Sequence, residues 1–237
     1  MPKKSEHLTA GEQKITPFLW FDNQAEEAAK FYTSIFKNSK IGTIAPYGEA
    51  GAQASGMPKG TVMTVTFELE GQGFIALNGG PVFKFTSAVS FFVSCNTEEE
   101  IDRLYKKLSE GGMVLMELDE YPFSKKFCWI NDRFGVSWQL NLANSTQQKI
   151  TPFLMFVRER NGKAEEAMNF YVSLFENSRI VKIERYGAGE EEPEGTVKHA
   201  TFSLDGQDFM ALDSNREHPF TFTPAISLLV PARRSKK

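Results

Sequence analysis

Apolar side chains crowd residues 15–21, with Thr16 and Pro17 the only interruptions, and this density over a short run predicts a β-strand. Pro17 is best tolerated near the start of such a strand or at a sheet edge. Apolar residues then return at helical spacing, with Ala28, Phe31, Tyr32, Ile35 and Phe36 sharing one face. Asp22 or Asn23 can cap this helix, Glu26 and Glu27 suit the positive end of its dipole, and Asn38 and Ser39 stop it. "KIGTIAPY", "TVMTVTFEL" and "FIALNGG" read as three more strands. A Gly/Pro/Ala-rich loop over 48–59 and the tight turn "EGQG" separate them.

The order is βαβββ, and it recurs. "FTSAVSFFV" is a strand, and Thr97 with Glu100 forms a capping box. The helix that follows carries Ile101, Leu104, Tyr105 and Leu108 on one face and stops at Gly111 and Gly112. Strands over 114–118, 126–130 and 136–142 complete a second module. On the last of these, alternation sets Ser137, Gln139 and Asn141 on one side and Val136, Trp138, Leu140 and Leu142 on the other.

The pattern is then written again. "KITPFLWF" from Lys14 returns as "KITPFLMF" from Lys149, and "AEEAAKFYTSIFKNSKI" from Ala25 as "AEEAMNFYVSLFENSRI" from Ala164. "GTVMTVTFELEGQGFIAL" from Gly60 matches "GTVKHATFSLDGQDFMAL" from Gly195, and "FKFTSAVSFFV" from Phe83 matches "FTFTPAISLLV" from Phe220. Four blocks in the same order establish an internal duplication. The second copy carries a four-residue insertion around "VRERNGK", which predicts a longer strand-to-helix loop there. The expected organisation is a tail (1–13), a complete copy of two modules (14–142), a linker (143–148), a partial copy of one module plus one strand (149–231) and a basic tail (232–237). The last strand of the partial copy is expected to be weak unless a sheet edge captures it. Module three (149–215) is expected to pack on the first copy or to pair with its equivalent in a second chain.

The 41% hydrophobic content is that of a globular protein with a core, and 21 phenylalanines imply aromatic packing or an aromatic-lined cavity. Lys and Arg number 27 against 30 Asp and Glu, a mixed balance that offers no footprint for nucleic acid. No apolar stretch approaches the ~20 residues of a membrane span, and residues 1–13 lack the apolar core of a secretory signal, so a cytoplasmic location is expected. Cys95 and Cys128 have no metal-like spacing and are expected to be buried, reduced thiols.

With the "AEEAAKFY" helix, "ALNGGP", the "EGG" helix stop and above all "NDRFGVSWQL", the chain resembles the PhnB-like branch of the vicinal oxygen chelate superfamily, whose members often carry the label 3-demethylubiquinone-9 3-methyltransferase. The resemblance covers 14–142 and again 149–230. It implies an α+β glyoxalase/bleomycin resistance/dioxygenase fold, in which paired βαβββ modules form curved mixed sheets around a cup. Metal-dependent members follow a "DPxGxxxE" pattern whose glutamate binds a divalent ion. Here Asp132, Gly135 and Gln139 fall on that pattern, so an amide replaces the carboxylate. The strands expected to face it supply no His, Asp or Glu, so no metal and no cofactor are expected. A glycine-rich strand-to-helix loop for a nucleotide-like methyl donor is also missing from the sequence.

By analogy Gln139 faces the cup together with Ser90, and Trp20 and Trp129 either line its walls or pack beneath the helices. Trp138 is assigned to the core and Asn78 to a turn, while His199 and His218 are not assigned to a site. The resulting expectation is a metal-free binder of an unknown small molecule in the cup of the first copy. The alternative is a lyase, isomerase or transferase, for which Glu68, Lys84, Glu117 and Tyr121 are the titratable candidates.

Overall fold

The structure is a computed structural model and describes residues 13–143 and 148–231. The N-terminal tail, most of the linker and the basic tail lie outside the described residues. Module one comprises β1 (Thr16–Phe21), α1 (Ala25–Ile35), β2 (Lys40–Pro46), α2 (Glu49–Ser55), β3 (Val62–Leu69) and β4 (Gln72–Asn78). Module two comprises β5 (Val89–Cys95), α3 (Glu98–Ser109), β6 (Met113–Tyr121), β7 (Ser124–Asn131) and β8 (Ser137–Leu142). Module three comprises β9 (Ile150–Val157), α4 (Ala164–Leu174), β10 (Arg179–Arg185), β11 (Val197–Leu204) and β12 (Gln207–Ser214), and β13 (Ile226–Leu229) follows.

Two local expectations are corrected. The 48–59 segment contains the helix α2, because Glu49, Ala50, Ala52, Gln53 and Ala54 are strong helix formers and Gly56, at φ 75°, ends it. Neither Asp22 nor Asn23 caps α1. The Ala25 amide donates instead to Asn78 Oδ1 at 2.8 Å, and Asn78 Nδ2 donates to the Val62 carbonyl at 3.0 Å. In copy two the equivalent Asp213 accepts from the Ala164 amide (3.1 Å) and the Val197 amide (2.9 Å). An amide serves where a carbonyl needs a donor and a carboxylate where both neighbours are donors. Asn78 is therefore a buried cap supplied from far along the sequence, as well as the first residue of its turn.

Each module places its first strand parallel to its last, beside an antiparallel meander. The strands assemble into an eight-stranded sheet of order β10-β11-β12-β9-β5-β8-β7-β6 and a five-stranded sheet of order β13-β1-β4-β3-β2. The chain accordingly divides into one compact unit over 85–222 and another over 13–84 with 223–231. Sequence copies and compact units do not coincide. β5 pairs antiparallel with β9, from Val89↔Leu154 to Val93↔Ile150. β1 takes β13 as its antiparallel neighbour, from Thr16↔Leu229 to Leu19↔Ile226, so a sheet edge does capture the final strand.

In the larger unit, α3 and α4 pack on one face of the sheet. Ile101, Leu104 and Leu108 of α3 are buried with Phe91, Cys128, Ile130, Trp138 and Leu140. Under α4 lie Ala200, Phe202, Phe209 and Ala211. Thr97 caps α3 as expected, accepting from the Glu100 amide at 3.2 Å. Gly112 is required where the helix ends, since a Cβ there would stand 2.3 Å from the Asn131 carbonyl oxygen. Both cysteines are free and buried on the helix side, and burial pushes the Cys128 thiol up to about 12. Among the described residues no helix is long and apolar enough to cross a membrane.

Candidate functional site

The face of the eight-stranded sheet turned away from the helices gathers chemistry from four central strands. Gln139 on β8 is in register with Phe92 on β5 and Trp129 on β7, and Ser137 with Ser90. Side-chain bonds show that these residues share the face. Gln139 Nε2 donates to Ser90 Oγ at 2.9 Å, and Trp129 Nε1 donates to Ser137 Oγ at 2.8 Å. The β5–β9 pairing carries the surface into module three, where Phe92 stacks on Phe153 with centroids 6.3 Å apart. Phe153 in turn contacts His199 at 5.8 Å. Met210 and Thr201 continue the row across β12 and β11.

Three of the four expected site residues, Ser90, Trp129 and Gln139, are thus brought together. The fourth, Trp20, belongs to the smaller unit. Its indole donates to the Gly80 carbonyl at 2.8 Å, meets the edge of Phe83 at 5.0 Å and lies on Gly79, where a Cβ would come within 2.2 Å of the ring. Trp20 closes its own turn. The titratable candidates do not converge either. Glu68 pairs with Lys40 at 3.2 Å in the smaller unit, which also holds Lys84. Glu117 accepts from Tyr105 at 2.6 Å on the edge strand β6, and that bond first, then burial, takes the Tyr105 hydroxyl up to about 12. Tyr121, also on β6, is raised by burial and by Asp119.

His199 is the residue that sequence reasoning passed over. The available signal was its replacement of Thr64 at the matching position of copy one, a strand position that joins the face of Gln139 only once β9 pairs with β5. Burial holds its imidazole below the ordinary 6.5, against the opposing pull of Glu184, its register partner on β10. The neutral ring is therefore the form the fold favours. As pH falls below about 6.5 the unfolded chain takes up this proton first, so stability should decline there and level off below the folded value. His218, also lowered, acts in the same sense. Urea melts at about pH 7.5 and 5 should show a smaller loss for His199→Gln than for the parent chain. Equal losses would remove His199 from the account.

A divalent ion of the kind used by metal-dependent members of the superfamily does not fit these donors. Gln139 offers a neutral amide already bonded to Ser90, and the facing positions are Phe92, Phe153 and Met210. Such ions need several N or O donors, anionic ones included. Among the described residues no three His, Cys, Asp or Glu side chains are placed to hold a metal. On this face Phe92, Trp129, Gln139 and His199 are half-buried, while Ser90, Ser137 and Phe153 are buried beside them; aromatic rings with amide, hydroxyl and imidazole groups at intervals suit a small, partly aromatic molecule.

The profile of the 3-demethylubiquinone-9 3-methyltransferase family matches residues 13–141 and 148–237. Among solved structures the chain is similar to a PhnB protein from Bacillus cereus that carries the same methyltransferase description, at 51% identity over 55% of this chain and 100% of that one, with a TM-score of 0.51. It is also similar in fold to glyoxalase I from Zea mays, at 11% identity over 90% of this chain and 72% of that one, with a TM-score of 0.54. Comparison with curated proteins returns no match. Similar in fold to glyoxalase I and matched by the family profile on both sequence copies, the chain belongs to the PhnB-like 3-demethylubiquinone-9 3-methyltransferase family.

Proposed function

We propose that the chain binds a small, flat organic molecule without a catalytic metal, on the face of the eight-stranded sheet built by modules two and three. The observation that supports this most directly is the convergence of Ser90, Trp129 and Gln139 with Phe92 and Phe153 on one surface. The sequence placed the site in the first copy; the strand pairing supports a site shared between copies. We assign the protein to the cytoplasm, consistent with its two free, buried thiols. Self-association through the modules is supported by the β5–β9 and β1–β13 edges already joined within one chain.

A fragment set of planar heteroaromatic compounds, followed by thermal shift and Trp fluorescence, tests the reading. Hits should lose affinity about tenfold or more in Gln139→Ala, as the bound polar group loses its partner. Affinities unchanged by both Gln139→Ala and Trp129→Phe would sink it, as would tight stoichiometric binding of Mn, Ni or Zn.

His199 favours a second reading, in which the chain is a lyase, isomerase or transferase. A half-buried imidazole kept neutral near pH 7 is suited to take a proton from a substrate held on the same face. Turnover that vanishes in His199→Gln while ligand binding persists would decide for the enzyme.

A further inference from the structure

Where the two copies differ most, the larger unit has an open cleft of about 630 Å³, lined by Arg158, Asn215, Arg216, Glu217, His218 and Pro219. Arg158 opens the short 3₁₀ turn Arg158–Arg160, inside the insertion found only in copy two. The other lining residues follow β12, where copy one has the glycine turn covered by Trp20. Met155 stands in place of Trp20 and Ser214 in place of Gly79. An indole lying where Trp20 lies would collide with any side chain at the Ser214 position, as the 2.2 Å approach at Gly79 shows. Copy two has exchanged a plug for a polar opening.

The cleft wall is fixed from beneath. Glu192, only 5% exposed, accepts from the Asn215 amide at 2.6 Å and from Ser214 Oγ at 3.2 Å. Ser214 Oγ lies 3.1 Å from His218 Nε2, and the imidazole packs on Phe220 at 5.0 Å. Because the Ser214 hydroxyl donates to Glu192, Nε2 is the N–H that donates to Ser214 Oγ, and Nδ1 of the neutral ring is an acceptor. Charges near the cleft are unequally committed. Glu192 is engaged with backbone and hydroxyl donors, and Arg216 is paired with Glu191. Among the described residues the exposed Arg158 pairs with its sequence neighbour Glu159, at 4.0 Å, the limit of an ion pair. It is also held at φ 55°, a left-handed conformation that is costly for arginine and clusters at ligand sites.

We infer that this cleft is a second small-molecule site, specific to copy two, that takes an organic anion through Arg158 and the Asn215 side-chain amide. The chemistry is that of a carboxylate or phosphate monoester on a small organic body: the guanidinium presents a planar donor fork, the Asn215 side chain adds a neutral donor, and the His218 ring packs beside the bound body. Glu217 on the rim disfavours a second negative charge, so of the two a monocarboxylate fits better than a phosphate monoester. The inference stands on the cleft and does not depend on the sheet-face site.

Calorimetric titration of the full chain with benzoate and with phenyl phosphate tests it, together with NMR of the His218 ring. At least one probe should bind once per chain and move the His218 resonances. Arg158→Gln, an exposed change that leaves the buried network intact, should weaken binding at least about tenfold. Gln139→Ala should leave it unchanged. Binding of benzoate alone identifies a carboxylate site, and of phenyl phosphate alone a phosphate site. Absence of binding by both at millimolar concentration, or binding indifferent to Arg158→Gln, overturns the proposal.

Discussion

Replacing Trp138 by alanine should destabilise the larger unit by about 3–5 kcal/mol, the range for emptying the site of a buried aromatic side chain. The indole is 1% exposed, packs against Phe91 at 5.3 Å and sits beneath α3 with Ile101 and Leu104. It also has a polar role. Its Nε1 donates at 2.8 Å to Asp132 Oδ2, while Asp132 Oδ1 accepts from the Phe134 amide at 2.9 Å and the Val136 amide at 3.1 Å. The aspartate of "NDRFGVSWQL" thus organises the turn into β8 and ties it to the core. Trp138→Phe should lose less than the alanine variant, because it keeps most of the volume and gives up the hydrogen bond to Asp132. Asp132→Ala should cost about 2–4 kcal/mol by orphaning buried donors. Urea melts followed by circular dichroism, which does not depend on the lost fluorophore, would measure all three. A loss below about 1 kcal/mol for Trp138→Ala would contradict the packing described.

The position of Asp132 shows what the sequence could disclose. Its place in a superfamily pattern, four residues after the Cys128 position and seven before Gln139, was visible at once, and alternation along β8 correctly separated Gln139 from Trp138. The resemblance placed Ser90 and Trp129 beside Gln139, and strands in register bring them to the same side of the sheet. Partner choice among modules could not be read this way. β1, β5, β9 and β13 are versions of one strand, so hydrophobic pattern alone does not say which first strand lies beside which. β8 ends beside β5, with Leu142 opposite Cys95, and β9 enters on the other edge of β5. That crossing is about two strand spacings, roughly 10 Å, and residues 143–149 cover it easily. The link over 79–88, from β4 to β5, is also long enough for such a crossing, which would have set β5 beside β1. Sequence lengths therefore permit two pairings. The places of His199 and Trp20 depend on that choice: the first comes onto the face of Gln139 only through β9, and the second belongs to the sheet that β13 completes.

The interleaved pairing sets the outcome expected for a chain ending at Ala143. By sequence copy such a chain is complete, yet in the fold it loses β9 from the edge of β5 and β13 from the edge of β1. At the first edge it gives up the ladder from Val89↔Leu154 to Val93↔Ile150, the extra bonds Met155 N to Ala88 O (2.8 Å) and Ser94 N to Lys149 O (3.0 Å), and the Lys149–Glu100 ion pair at 2.8 Å. Ile150 and Phe153 are buried in the intact chain, and each large apolar side chain so placed contributes about 1.5–3 kcal/mol. Their loss with the ladder should destabilise module two by roughly 5 kcal/mol or more. The exposed edge would be "VSFFVSC", apolar, β-branched and aromatic, with no charge or proline to discourage pairing. The truncated chain should therefore aggregate, or form dimers in which β5 of one copy recruits a strand of another. Light scattering and circular dichroism melts against the full chain measure both effects. A truncated chain that stays monomeric with an unchanged melting temperature would mean that modules one and two satisfy each other's edges without copy two, and the pairing described for β5 and β9 would then be dispensable.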